Sequence, residues 1–167
     1  TIAVAAALDT GTIKPNDSFS MENNKFNVSG IIIKDHQDKP TLNVTEILEV
    51  SSNIGAAKIA LQLGAKKLYT YFKKFGFGVK SNVNFLSESS GILRDHTTWK
   101  PIDTAKAGYG YTVSASGVQI VSAYSAIGNG GALMQAHLIS KIKYPNGKED
   151  ILAKPMRVRE VLKPNTI

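Results

Sequence analysis

Cysteine is absent from all 167 residues. Its absence excludes disulfides, zinc–thiolate sites and thiol catalysis within the chain, and it is compatible with an oxidising compartment without requiring one. Long apolar runs are missing as well. None approaches the ~18 residues of a membrane span, so no segment is expected to cross a bilayer. There is no signal-peptide pattern, which for an internal segment leaves the address of the whole protein open. Histidine is scarce: His36, His96 and His137 lie about sixty and forty residues apart, with no paired-ligand spacing, which argues against a metal site. What is present is ordinary globular material. Hydrophobic residues make up 43% of the chain, enough for a real core in one domain or most of one.

Charge is uneven. The net charge is +7, with six lysines and no acid between Lys58 and Lys80, and seven basic residues against three acids between Lys141 and Lys163. A basic patch can serve nucleic acid or anionic lipid. A solvated surface explains it better: Lys66, Lys67, Lys73 and Lys74 fall opposite Leu68, Phe72 and Phe75, as an amphipathic surface helix requires. Aromatic and basic residues do not interleave in a base-stacking strand pattern, so no nucleic-acid partner is expected.

Periodicity and turn residues divide the chain. Thr1 to Leu8 reads as the tail of a helix closed by Gly11, with Pro15 soon after. Ser18 to Lys34 reads as two short strands around Glu22-Asn23-Asn24-Lys25, and His36 to Pro40 as a polar turn. Asn43 or Thr45 caps a short helix through Glu46 to Val50. A helix follows Asn53 and closes at Gly64. Another runs from Ala65 to Phe75 and ends at Gly76-Phe77-Gly78. Val79 to Pro101 is an ordered loop, because Phe85, Leu86, Ile92, Leu93 and Trp99 are too apolar for a linker. Ile102 to Ala107 is a short helix. Ser116 caps a longer one through Ile127, with Ile120, Tyr124 and Ile127 as its apolar stripe. Gly128-Asn129-Gly130-Gly131 ends that helix, Leu133 to Tyr144 is extended, and Pro145-Asn146-Gly147 signals a turn. No internal repeat or low-complexity tract is present.

The candidate chemistry centres on Ser51-Ser52-Asn53, at the mouth of the apolar run Ile54-Gly55-Ala56-Ala57-Lys58-Ile59-Ala60. Taken alone, the tripeptide reads more readily as a helix cap than as a catalytic group. Serine acyl-transfer sites of the Ser-x-x-Lys type, however, need a hydroxyl to relay a proton to the leaving amine and an amide to hold the substrate. A Ser-x-Asn corner before a helix supplies both, with the first Ser and the Asn pointing one way and the middle residue the other. Other constellations are weaker. Asp95-His96 near Asp103 could mimic a catalytic pair but reads as loop polars making local hydrogen bonds. Glu46 and Glu49 read as helix surface. Gly128, Gly130 and Gly131 do not precede a helix, against a phosphate cradle. Trp99 and Tyr109 either wall a cleft or pack in a core.

The company of the tripeptide carries a family resemblance. Thr1-Ile-Ala-Val-Ala-Ala-Ala-Leu-Asp-Thr-Gly11 resembles the helix that follows Ser-x-x-Lys in penicillin-binding proteins. Val50-Ser-Ser-Asn-Ile-Gly-Ala-Ala-Lys-Ile-Ala60 resembles their second motif, and Tyr71-Phe-Lys-Lys-Phe-Gly-Phe-Gly78 the segment after it. Gly110-Tyr111-Thr112, Ser116-Gly-Val-Gln119 and Ala126-Ile-Gly-Asn-Gly-Gly131 resemble the Gly-Tyr-Gly, Thr-Pro-Leu-Gln and Ala-Asn-Gly-Gly stretches. Two positions depart from the pattern: Thr112 stands where the family often has Gly, and Gly117 where it often has Pro. A looser alignment on Gly108-Tyr109-Gly110 needs two extra residues before Gln119, so the gapless one is preferred.

The resemblance, to class B transpeptidases of the septal type, implies an α+β penicillin-binding protein/serine β-lactamase-like transpeptidase fold. The chain would hold mostly its helical part with a few strands, and an incomplete central sheet. Residues 1–167 would be the central part of one transpeptidase domain, truncated at both ends, with Ser-x-x-Lys just before Thr1 and Lys-Thr-Gly or Lys-Ser-Gly beyond Ile167. Neither form of the latter motif follows Asn53 in the remaining 114 residues. That length favours the larger transpeptidases over a serine β-lactamase or β-lactam sensor, and a non-catalytic scaffold relative is the remaining alternative. The implied catalytic residues are Ser51, relaying protons, and Asn53, binding the substrate amide and the motif lysine. Tyr111 and Thr112 would join Asn53 in binding substrate, and Ser52 would serve structure. No cofactor or metal is implied. The implied partners are peptidoglycan stem peptides, β-lactams, a glycosyltransferase and other cell-wall assembly proteins. The implied location is the periplasmic, extracytoplasmic face of the cytoplasmic membrane, with an N-terminal anchor outside this chain. The chain alone is expected to be inactive.

Overall fold

The computed structural model describes residues 1–83 and 87–166. Phe85 and Leu86, part of the expected apolar loop, lie outside the described residues. The chain forms two compact units. The first comprises residues 1–72 and 93–114 with Thr166, and the second residues 73–92 and 115–165.

The first unit is built on helix α3 (Asn53–Leu63), which packs on both α1 (Ile2–Asp9) and α5 (Pro101–Gly108). Small residues make this possible. Ala3, Ala6, Ala7, Ala57, Ala60, Ala105 and Ala107 are buried, and a Cβ on Gly108 would lie 2.5 Å from the Ala56 carbonyl oxygen and 2.6 Å from the Ala60 Cβ. The α3 and α5 backbones therefore nearly touch. Helix α4 (Ala65–Lys74) buries Leu68 and Phe72 and exposes Lys66 and Lys67.

Around these helices lie two antiparallel strand pairs. Strand β1 (Ser18–Ser20) pairs with β4 (Thr41–Asn43), and β2 (Phe26–Val28) with β3 (Ile31–Ile33). The two strands expected around Glu22–Lys25 are β1 and β2, which do not pair with each other, and β3 is a third strand in the same stretch. The tight hairpin turn is at Ser29-Gly30, whose φ values of 52° and 85° match the two-residue turn that twists with its strands. Glu22, Asn23 and Asn24 are instead a left-handed turn between β1 and β2. Strand β4 was not anticipated, because three residues are too few to show alternation and its register is set by β1.

Helix α2 (Val44–Glu49) takes Asn43, not Thr45, as its cap. The Glu46 amide donates to Asn43 Oδ1 at 2.9 Å and the Asn43 amide to Glu46 Oε2 at 2.8 Å. Glu46, read as surface, is thus half of a capping box.

In the second unit, α6 (Gly117–Gly128) is capped by Ser116 in a box with Gln119. The expected stripe is corrected: Ile120 and Tyr124 are 45% and 55% exposed, and the helix buries Gln119, Ala123 and Ala126. The reason is polar. Gln119 Nε2 donates to the carbonyls of Gly76, Val79 and Ser90 at 3.2, 2.7 and 2.9 Å, and loop carbonyls buried without such a donor would be costly. Strand β5 (Ala132–Met134) pairs with β8 (Arg157–Glu160), and β6 (Lys141–Lys143) with β7 (Glu149–Ile151). Gly147, at φ 82°, turns the second hairpin. Gly131 brings the backbone against the Leu162 carbonyl, where a Cβ would lie 2.3 Å away. The expected extended run from Leu133 to Tyr144 resolves into β5 and β6. Strands β7 and β8, too highly charged to read as strands, came as additions. Among the described residues the strands form four two-stranded sheets, and no helix is long and apolar enough to cross a membrane.

Candidate functional site

The Ser51–Asn53 corner is formed by two helix ends sharing three residues. Helix α2 finishes with the Ser52 amide donating to the Ile47 carbonyl (2.9 Å) and the Ser51 amide to that of Leu48 (3.3 Å). This is the 6→1 and 5→2 pair of a Schellman stop. Such a stop needs a left-handed residue after the cap, and Ser51 takes it at φ 55°. Ser52 then returns to extended backbone (φ −66°, ψ 119°) and caps α3, its Oγ accepting from the Gly55 amide at 2.8 Å. Asn53 is the first helical residue rather than the cap.

Exposure follows from this geometry. Ser51 is exposed, Asn53 half-buried and Ser52 only 3% exposed. Ser52 Oγ donates to Asp35 Oδ2 at 2.5 Å, and Met21 Sδ lies 3.5 Å from Ser52 Oγ. The other Asp35 oxygen accepts from the Ile54 amide at 2.9 Å. Asn53 Nδ2 donates to the Lys34 carbonyl at 3.2 Å. Asp35 is itself anchored: its amide donates to Asn24 Oδ1 (2.5 Å), and Asn24 Nδ2 donates to its carbonyl (3.1 Å). Sequence reasoning missed both Asp35 and Asn24. A single acid after an apolar triplet, 17 residues before Ser52, carries no local signal.

Tyr111 and Thr112 lie just past α5. Tyr111 is 80% exposed and its ring tilts against Tyr109 at 5.4 Å. Burial, with Tyr111 beside it, pushes the Tyr109 phenol above its ordinary range. Thr112 Oγ1 donates to the Asp103 carbonyl at 3.4 Å. Among the described residues neither Tyr111 nor Thr112 hydrogen-bonds to Ser51–Asn53. Their structural link to the corner is the packing of α3 on α5.

The remaining candidates make local contacts. Asp95 accepts from the Thr97 amide and hydroxyl, which hold its carboxyl below the usual range. Asp103 accepts from the Lys100 amide at 3.0 Å and pairs with Arg94 at 3.2 Å. His96 and Trp99 stand edge-on to Tyr69. Among the described residues no group of three His, Asp or Glu side chains is placed to hold a metal. One buried pair had no sequence signal: the Tyr71 hydroxyl donates to the Asp9 carboxylate, which also accepts from Thr166 at 2.6 Å. Burial, and then that bond, raises the Tyr71 phenol well above its ordinary value.

Similarity to known proteins agrees with this architecture. Residues 1–167 match the family described as penicillin binding protein transpeptidase domain. The chain is 31% identical over 158 residues to a probable peptidoglycan D,D-transpeptidase, PenA, of Neisseria meningitidis serogroup B, covering 95% of this chain and 26% of that protein. It is 28% identical over 130 residues to the peptidoglycan D,D-transpeptidase FtsI of Escherichia coli K12, covering 78% of this chain and 22% of that one. The apo transpeptidase domain of Burkholderia pseudomallei penicillin-binding protein 3 superposes with a TM-score of 0.85 at 31% identity, covering 98% of this chain and 47% of that one. The chain thus spans about a quarter of the curated relatives and about half of the solved domain. The fold is shared with that solved domain, the family matches over all of residues 1–167, and the chain belongs to the penicillin-binding protein transpeptidase family.

Proposed function

We propose that residues 1–167 are the central part of one transpeptidase domain, in a protein that cross-links peptidoglycan stem peptides and is acylated by β-lactams during septal wall synthesis. The observation that carries this reading is the side-chain alternation at the corner. Ser51 offers an exposed hydroxyl. Asn53 uses Nδ2 on Lys34 and leaves Oδ1 without a protein partner among the described residues. Ser52 is turned inward.

In this reading a serine in Ser-x-x-Lys, outside the chain, attacks the carbonyl between two D-Ala residues and forms an acyl-enzyme. The Ser51 hydroxyl passes a proton to the departing D-Ala amine, and Asn53 Oδ1 accepts from a substrate amide N–H or the motif lysine. An amine from a neighbouring strand then takes the acyl group. Tyr111 and Thr112 line the acyl-donor path. The protein sits on the extracytoplasmic face of the membrane with a glycosyltransferase partner.

The test is D-Ala release from a stem pentapeptide by the full-length protein. A positioned proton relay contributes ~10²–10⁴-fold, so Ser51→Ala is expected to slow release by about that factor. Release at the wild-type rate would overturn the role of Ser51, and no release by the wild type would overturn the reading as a whole.

A further inference from the structure

Independently of the transpeptidase reading, we infer that the second unit carries a binding site for a short apolar carboxylate. The site is a cavity of about 80 Å³ enclosed by α6, residues 75–82 and the β5–β8 pair. Its floor is apolar: Phe75 and Leu133 line it and are almost fully buried. Two amides form its polar wall, and both are already spent. Gln119 Nε2 serves three loop carbonyls, and Gln135 Nε2 donates to those of Ser81, Asn82 and Ala136 at 2.8, 3.2 and 2.9 Å. These bonds fix the wall and leave its donors unavailable to a ligand.

What remains available is cationic. Lys80 and Arg159 border the cavity, and neither has an ion-pair partner among the described residues. Arg159 pairs with Leu133 across the ladder. Cross-strand partners share a face, so the arginine leaves β8 on the cavity side. Among the described residues no acid lines the cavity. The carboxylates nearest in the chain are engaged elsewhere: Glu160 pairs with Arg157 at 2.6 Å, and Glu88 accepts from the Ser81 and Asn82 amides at 2.5 and 3.1 Å.

Size and charge together select the ligand. An apolar cavity of about 150 Å³ admits benzene, so one of about 80 Å³ takes about three non-hydrogen atoms. That is the alkyl part of a short acid, with its carboxylate at the rim, where a guanidinium can grip both oxygens. A bare phosphate would leave the apolar floor uncovered, and an amine would be repelled by Lys80 and Arg159.

The test reads saturation transfer by NMR from the full-length protein to the methyl group of propionate, at constant ionic strength in chloride. Saturable binding in the millimolar range is expected. Arg159→Gln, at an exposed residue, removes a charge-assisted bond and should weaken binding by about tenfold or more. Ala136→Leu fills the cavity and should abolish transfer. Lys80→Gln, also at an exposed residue, should weaken binding several-fold and stands in if Ala136→Leu does not fold. Propylamine, similar in size and opposite in charge, should receive no transfer. Propionate binding that Arg159→Gln and Lys80→Gln leave unchanged, or equal transfer to propylamine, overturns the inference. So does the absence of saturable transfer to propionate, including the case in which inorganic phosphate binds by calorimetry and propionate does not. None of these readouts uses acylation, so their failure is distinct from failure of D-Ala release.

Discussion

Ser51 occupies a position where glycine would be more stable. A left-handed non-glycine residue costs ~1–2 kcal/mol, and Ser51 bears that cost at φ 55° while making no cap with its side chain. Ser51→Gly is therefore expected to raise unfolding free energy by about 1 kcal/mol in urea titration while slowing acylation as Ser51→Ala does. A variant that gains stability and loses rate marks a residue kept for chemistry.

Ser52 behaves in the opposite way. Ser52→Ala removes an N-cap, worth ~1 kcal/mol, and leaves a partly buried Asp35 oxygen without its donor, worth ~1–3 kcal/mol. A loss of about 2–4 kcal/mol is expected from the same titration. Of the tripeptide, the sequence made the division between Ser51, Ser52 and Asn53 legible through the family resemblance. The cap assignment to Ser52 over Asn53 was not legible because both are favoured caps, and the carboxylate behind it was not because it reaches Ser52 across 17 residues.

At the scale of elements, the helix starts were readable and the faces less so. Caps act over three residues, so Asn43, with its Glu46 partner, and Ser116, with Gln119, carry their signal locally. The buried face of α6 was misjudged because apolar periodicity assumes a nonpolar core, whereas the unit packs a glutamine that closes three loop carbonyls. Short strand pairs were partly missed for a related reason: three residues do not show a period of two.

The close approach of α3 and α5 gives a prediction at this scale. Gly108→Ala sets a methyl 2.5 Å from the Ala56 carbonyl oxygen, a backbone atom that cannot rotate away, and overpacking of this kind costs ~1–3 kcal/mol. Gly55→Ala meets only the Ile47 side chain, also at 2.5 Å, so it should destabilise less. Melting temperatures of the two variants in the full-length protein should fall in that order.

For the whole molecule, the resemblance of several ordered motifs made the α+β class and the family legible, and the absence of cysteine excluded thiol and zinc–thiolate chemistry within the chain. Two features escaped: the division into two compact units, and the buried Asp9–Tyr71 pair that ties α1 to α4 over 62 residues. The pair has a pH signature. Folding raises the Tyr71 phenol above its unfolded value, first by burial and then through Asp9. Its contribution is thus fully present below about pH 10, the ordinary tyrosine value, and is lost as pH rises toward the folded value, because the unfolded state releases that proton first. Tyr71→Phe should flatten the loss of stability between about pH 9.5 and 11, measured by denaturant titration at each pH. An unchanged slope would place the alkaline sensitivity elsewhere.

The central claim is that the Ser-Ser-Asn corner serves a serine outside this segment. The direct measurement is to acylate the full-length protein with a fluorescent penicillin and map the modified residue by peptide mass spectrometry. The account predicts one label per molecule, on the serine of a Ser-x-x-Lys just before Thr1 and on no residue of the 167. A label on Ser51, or on any other serine within the chain, would contradict it.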